Sequence, residues 1–166
     1  MDPLIRPLEP GDLAILHGFV DEEFGGEPIV TPENFYRLEQ LSCLKAVLGS
    51  ETAGFVCYHC AGAICEIVVL GSLVERKGIG TALVSAVHDR ARECQCRQLL
   101  AYTTNDNEKA LRFYQRQGFA IAATHRDAMA RVRKYKPQLP GTGLNGLPLR
   151  DMIELQRAVP VRRSPT

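Results

Sequence analysis

At 166 residues the chain is the size of one domain, long enough to bury roughly two-thirds of its unfolded surface without disulfides or metals. Apolar residues make up 45% and charged residues 23%, which argues against disorder, and no apolar run approaches the ~18 residues of a membrane span. The net charge of +1 hides a division: residues 1–70 hold 11 acids against 3 bases, a net of −8, and residues 71–166 hold 17 bases against 8 acids, a net of +9.

The N-terminus lacks the basic start and long apolar stretch of a signal peptide, so a cytoplasmic chain is expected. Leu4 to Leu8 reads as a first strand, ended by Glu9-Pro10-Gly11-Asp12. Asp12 is the expected N-cap of a helix through Leu13, Leu16, Phe19 and Val20, stopping near Gly25-Gly26. Thr31-Pro32-Glu33-Asn34 offers another helix start, with Thr31 as cap and Pro32 in the first helical position. Three β-rich runs follow, Cys43 to Leu48, Gly54 to Cys60 and Ala63 to Leu70, spaced as an antiparallel meander. The third is apolar on both parities except for Glu66, which predicts a central strand covered on both faces.

A long helix is predicted from about Gly78 to Cys94, with Ile79, Ala82, Leu83, Ala86, Val87 and Ala91 in one stripe. A strand follows at Gln98 to Thr103. Asn105 and Glu108 are spaced for a reciprocal capping box on the next helix, which stops at Gly118. Phe119 to Thr124 resumes as strand, and Arg126 to Lys134 reads as helix. Pro137 to Pro148 is a Pro/Gly-rich loop, Met152 to Leu155 a last strand, and residues 159–166 a flexible tail behind a single domain of residues 1–158. The order makes an α+β domain around a mixed sheet.

Six cysteines occur without a secretory signal, so reduced, buried thiols are expected and no metal. Cys57-Tyr58-His59-Cys60 has no second ligand pair of matching spacing, and strand alternation sends Cys57 and Cys60 to opposite faces.

The strongest chemistry lies in Glu75-Arg76-Lys77-Gly78-Ile79-Gly80-Thr81. Two glycines at a helix start let the backbone approach a ligand, and first-turn N–H groups sit at the positive end of the helix dipole, where a pyrophosphate fits. Arg76 and Lys77 add charge just before it. A Rossmann turn would need Gly or Ala where the chain has Leu83, and a glycine directly after the strand, whereas seven residues separate Leu70 from Gly78. The Gly-Lys-Ser/Thr of a P-loop is absent. A glycine-tolerant helix start without ligand remains the plain alternative.

Here the chain resembles the GNAT superfamily of N-acetyltransferases. Its phosphate-turn signature is joined downstream by Asn107-Glu108-Lys109-Ala110-Leu111-Arg112-Phe113-Tyr114-Gln115-Arg116-Gln117-Gly118-Phe119, which fits the family's second motif in sequence and distance. The order from Leu4 to Thr124 also fits. Phe24-Gly25-Gly26, Thr103 to Asn107, Lys136-Pro137 and Gly146 to Glu154 look like a bacterial subgroup. The family's Arg or Gln three residues before the first glycine is Glu75 here, a carboxylate that must point away from a pyrophosphate; Arg76 would supply the missing charge.

The resemblance implies a three-layer α/β/α fold whose mixed, mostly antiparallel, twisted sheet splays between its fourth and fifth strands. It implies acetyl-CoA as co-substrate, with its pantetheine arm along Val68, Val69 and Leu70. The diphosphate would lie on Arg76, Lys77, Gly78, Ile79, Gly80 and Thr81, and Asn107, Ala110 and Phe113 would add contacts. Tyr114 matches the general acid that protonates the leaving thiolate, and its ordinary pKa of ~10 keeps it a donor. Glu66, costly to bury without a reason, is the expected base for an incoming amine, the alternative being a structural carboxylate bonded to a neighbouring loop. Glu22, Glu23 and Phe24 fall where the family borders its acceptor pocket, and Arg150-Asp151 approach it from the late loop. A primary amine, small or peptide-borne, is the expected acceptor; a homodimer stays open, and no nucleic-acid or membrane partner is expected. The charge division suits an anionic cofactor and a cationic acceptor, or simply two solvated faces. Rival readings are a catalytically idle acetyl-CoA sensor of the same fold and a nucleic-acid module using the basic stretch His125 to Lys136.

Overall fold

The computed structural model describes residues 2–75 and 78–160. In chain order the elements are β1 (Leu4–Pro7), α1 (Leu13–Phe24), β2 (Ile29–Val30), β3 (Phe35–Tyr36), β4 (Ser42–Leu48), β5 (Glu51–Ala61), β6 (Ile64–Ser72), α2 (Ile79–Glu93), β7 (Gln98–Thr104), α3 (Glu108–Arg116), β8 (Ala120–His125), α4 (Ala128–Tyr135) and β9 (Met152–Ala158). The α+β expectation holds: seven strands form one mixed sheet in the order β1-β4-β5-β6-β7-β9-β8. Its neighbours are antiparallel throughout except the fourth and fifth in that order, β6 and β7, which run parallel.

The helices cover both faces because each buries one apolar stripe. Ile79, Leu83, Val84, Val87 and Ala91 of α2 and Tyr114 of α3 pack on Val56, Cys65, Ile67, Leu99 and Leu155. On the other face Leu16 and Val20 of α1 meet Phe55, Cys57, Val68 and Val69. Met129 and Val132 of α4 join Val30 and Met152. The central-strand prediction for β6 is met, with Cys65, Glu66, Ile67, Val68 and Val69 all buried. Cys57 packs toward α1 and Cys60 toward α2, so the strand alternation does separate them. No described helix is long and apolar enough to cross a membrane.

Four local expectations are corrected. Thr31 to Asn34 starts no helix. Instead it is the turn of a hairpin between β2 and β3, closed by Thr31 N–H to the Asn34 carbonyl (2.9 Å) and Asn34 N–H to Thr31 Oγ1 (3.1 Å). The flanking Ile29-Val30 and Phe35-Tyr36 are β-branched or aromatic and prefer the pleat, which outweighs the cap-like turn residues. Asp12 makes no side-chain cap for α1. Its carboxylate accepts from Glu9 N–H (2.8 Å) and pairs with Lys45 Nζ (2.8 Å), both partners of that pair being buried. Asn105 and Glu108 form no capping box: Asn107 caps α3 through its Oδ1, which accepts from Ala110 N–H (3.0 Å). The tail does not begin at Val159, which is buried and donates its N–H to the Arg97 carbonyl (2.8 Å). Beyond it, residues 161–166 lie outside the described residues, as do Arg76 and Lys77.

Candidate active site

The site begins with a defect in the sheet. β6 and β7 pair only from Ile64 to Ile67 against Gln98 to Ala101. One residue further, β6 bulges: Cys57 of β5 faces Val69 and Tyr58 faces Ile67, leaving Val68 as the extra residue. A bulge bends its strand and ends regular pairing, so Val68, Val69 and Leu70 turn away from β7. Between the diverging strands lies a cavity of about 380 Å³.

Its walls gather residues distant in sequence: Glu66, Val68 and Leu70 from β6, Tyr102 to Thr104 from β7, Asn107, Ala110 and Tyr114 from α3, and Glu23 and Phe24 from α1. Ile29 to Thr31, Met129, Lys136 and Met152 close the other sides. Eight of the sixteen expected residues, Glu23, Phe24, Glu66, Val68, Leu70, Asn107, Ala110 and Tyr114, thus share one cavity, while Gly78, Ile79, Gly80, Thr81 and Phe113 lie outside its lining. Val69 does not line it, being fully buried in the cluster beneath α1. Glu22 is exposed and outside the lining. Arg150 and Asp151 are also outside: their N–H groups donate to Asn105 Oδ1, their side chains pair at 3.0 Å, and Asp151 accepts from Asp127 N–H (2.9 Å). Their charges hold the late loop in place, and the Arg150 guanidinium keeps the Asp151 carboxyl below its usual range.

Glu66 is the centre of the site's electrostatics. Only 4% of it is exposed, Oε1 accepts from the Tyr36 hydroxyl at 2.8 Å, and Oε2 is buried without a hydrogen-bond partner. Burial pushes its carboxyl up to about 7; the Tyr36 bond offsets this only in part, and Glu33 and Glu154 add repulsion. A buried carboxylate oxygen without a partner is costly, and Glu66 lines the cavity. Tyr114 is buried between Phe113 (5.4 Å) and Phe119 (5.2 Å), and burial raises its phenol above the ordinary value, so it stays a proton donor.

The phosphate turn stands at the opening of α2. Gly78 takes φ +70, a left-handed conformation that glycine adopts without strain, and a Cβ there would meet nothing within 4 Å. The first backbone bond of the helix runs from Ala82 N–H to the Gly78 carbonyl (3.0 Å), and no side chain caps it. The N–H groups of Ile79, Gly80 and Thr81 therefore precede the ladder. Gly80 is small for a second reason: a Cβ would sit 2.9 Å from the Phe113 ring, so it lets α3 close on α2. Gln117 Nε2 also donates to Thr81 Oγ1 (2.9 Å) across that contact. Glu75 is turned toward α3, where its carboxylate accepts from Lys109 Nζ at 2.9 Å.

Several site residues escaped the sequence reading. Tyr36 was hidden by the helix expected near Thr31. Asp106 accepts from Leu144 N–H (2.8 Å), and Asn105 Nδ2 donates to the Pro148 carbonyl (2.8 Å), so one strand-to-helix turn pins the late loop against the cavity. Lys136 is buried, donates Nζ to the Phe24 carbonyl (2.6 Å) and so holds the C-terminus of α1 over the cavity; burial lowers its pKa to about 8. Arg133 Nη2 likewise donates to the Leu149 and Pro140 carbonyls. Two cations of the basic stretch are thereby committed to internal carbonyls.

A splayed mixed sheet and an uncapped glycine helix start beside the gap are the marks of the GNAT class of acyl-CoA N-acyltransferases. The profile of the Acetyltransferase (GNAT) family matches residues 14–119, and the chain belongs to this family. The Bacillus subtilis protein YdhI is 34% identical over 146 residues, covering 87% of this chain and 91% of its own. A Bacillus subtilis acetyltransferase solved with CoA superposes with a TM-score of 0.72 at 24% identity, covering 95% of this chain and 99% of that one. A GNAT acetyltransferase from Elizabethkingia anophelis solved with acetyl-CoA gives 0.70 at 21% identity, covering 95% and 98%.

Proposed function

We propose that the protein transfers the acetyl group of acetyl-CoA to a primary amine by direct attack within a ternary complex. The observation that carries this reading is the cavity at the β6–β7 divergence, whose lining brings Glu66 and Tyr114 together. The chain has what the co-substrate requires. The free N–H groups of Ile79, Gly80 and Thr81 suit a diphosphate, with Arg76 and Lys77 adjacent in sequence and Phe113 behind Gly80. The backbone edge of Val68 to Leu70, released from β7, suits the amides of a pantetheine arm, with Asn107 and Ala110 across the cavity. Acetyl-CoA supplies the thioester carbonyl that is attacked.

Glu66 takes a proton from the amine nitrogen as the new C–N bond forms. Tyr114 gives its proton to the sulfur as the C–S bond breaks. Glu23 and Phe24 border the acceptor side. A carboxylate with pKa near 7 is half ionised at neutral pH, which matches it to general-base work there. Calorimetry with acetyl-CoA, then thiol release with a panel of primary amines, tests this. Binding and acceptor-dependent turnover are expected, with Tyr114→Phe slower by about 100-fold. Binding without turnover of any amine would support the idle sensor instead, and no binding would remove both readings.

A further inference from the structure

One hydrogen-bonded chain beside the cavity has no part in the mechanism above. Tyr102 lines the cavity with Glu66, yet its own proton is committed elsewhere: its hydroxyl donates to Glu154 Oε1 at 3.1 Å. The same oxygen meets His125 Nε2 at 2.9 Å, and Gln156 Nε2 donates to Glu154 Oε2 at 2.7 Å. Strand register builds this chain. Tyr102 and Glu154 are direct partners across β7 and β9, and His125 stands on the far neighbour β8, its ring edge-on to Tyr102 at 5.7 Å. The chain starts at the cavity and ends at a His125 side chain that is 28% exposed.

Proton accounting says why such a chain is needed. A primary ammonium loses two protons on becoming an amide, and the thiolate takes up one. The other must reach water. Glu66 is 4% exposed and cannot hand it to bulk solvent directly. With its donor used on Glu154, Tyr102 offers the cavity only lone pairs. Burial raises the Glu154 carboxyl, but its contact with His125 and the hydrogen bonds from Gln156 and Tyr102 outweigh that and hold it low, so it remains an acceptor. Burial and the neighbouring Glu154 push Tyr102 upward, which keeps it a neutral carrier. The other titratable groups facing this chain are Glu66 from β6 and Glu33 and Tyr36 from the β2–β3 hairpin, and Glu33 and Glu66 favour a cationic visitor.

We infer that Tyr102 receives a proton from the acceptor ammonium and that Tyr102, Glu154 and His125 conduct it to solvent. The ammonium N–H bond breaks and a new O–H bond forms at Tyr102 Oη, while the original hydroxyl proton moves to Glu154 Oε1. From there it passes to Nε2 of His125 in its Nδ1–H tautomer, as the Nδ1 proton leaves to water. The acceptor is left as the neutral amine that Glu66 then assists.

The inference rests on the acetyltransferase reading, and its test separates the two. Thiol release is followed from pH 6 to 10 in wild type, Tyr102→Phe and His125→Asn, with the midpoint of thermal unfolding as the control for folding. Tyr102→Phe should lower kcat/KM for the amine at least ~10-fold at pH 7 with the KM for acetyl-CoA unchanged. The deficit should shrink toward pH 10, where a primary amine of ordinary pKa ~10 increasingly arrives deprotonated. His125→Asn should show the same trend and recover when imidazole is added to the buffer. A variant profile identical to wild type, or one lowered by the same factor at every pH, overturns the proton path alone. A wild type that acetylates no amine overturns the acetyltransferase reading and this path with it.

Discussion

At the scale of the residue, Glu66 sets function against stability. Its folded pKa of about 7 stands above the ordinary carboxylate value of 4.5. Between those values the folded protein binds a proton that the unfolded chain has released, so stability falls as pH rises through this window, by at most about 1.4 kcal/mol per unit. In the proposed mechanism Glu66 acts as the ionised form, so activity is expected to rise over the same range. Glu66→Gln should therefore cut turnover by 100-fold or more. Urea midpoints should show it gaining on wild type from pH 5 to pH 8. A variant whose stability tracks wild type at every pH would show that the carboxyl is not held near neutrality. Tyr36 matters through the same group, since its hydroxyl fixes Oε1 and leaves Oε2 buried without a partner.

At the scale of the element, the site depends on how closely α1 and α3 approach the sheet and α2. Gly71, next to last in β6, lies directly beneath Phe19 of α1, and a Cβ there would clash with the ring. Phe19 also lines the cavity. Gly71→Ala overpacks this contact and should lower stability by about 2 kcal/mol while displacing α1, with Glu23 and Phe24 at its end. The companion change Phe19→Leu should restore much of the loss, which chemical denaturation of the two single variants and the double variant would measure. Additive losses would mean that the clash relaxes elsewhere.

At the scale of the whole molecule, the first turn is tied to the sheet by the buried pair of Asp12 and Lys45, which joins the chain preceding α1 to β4. The Lys45 hydrogen bond, with Glu9 N–H, holds the Asp12 carboxyl below its usual value. A lowered pKa contributes stability above the unfolded value of ~3.9, and this is lost as pH falls through the folded value. Lys45→Met leaves a buried carboxylate unpaired and should cost about 3 kcal/mol near pH 7. The gap to wild type should narrow toward pH 3, where a neutral Asp12 needs no cation. Equal gaps in urea midpoints at both pH values would count against the pair.

Local periodicity and motif spacing determined much of this protein before any coordinates were considered. The meander from β4 to β6, the α2 stripe, the Gly78 helix start and the Asn107-to-Phe119 motif are all written in contiguous residues, because each depends on backbone geometry or on one helix face. Glu66 stood out for the same reason, as the lone charge in an apolar strand. What only the tertiary structure decided are the choices between partners far apart in sequence. Thr31 to Asn34 has cap chemistry that suits a helix or a hairpin, and pairing of Ile29-Val30 with Phe35-Tyr36 selects the hairpin. Asn105, Asn107 and Asp12 each carry a capping group, but whether it caps a helix or binds a loop or a lysine depends on what folding brings within 3 Å. Tyr36 on Glu66 and Tyr102 on Glu154 likewise exist only once hairpin and sheet register are set, since no spacing in one segment encodes a bond to a strand 30 or 52 residues away.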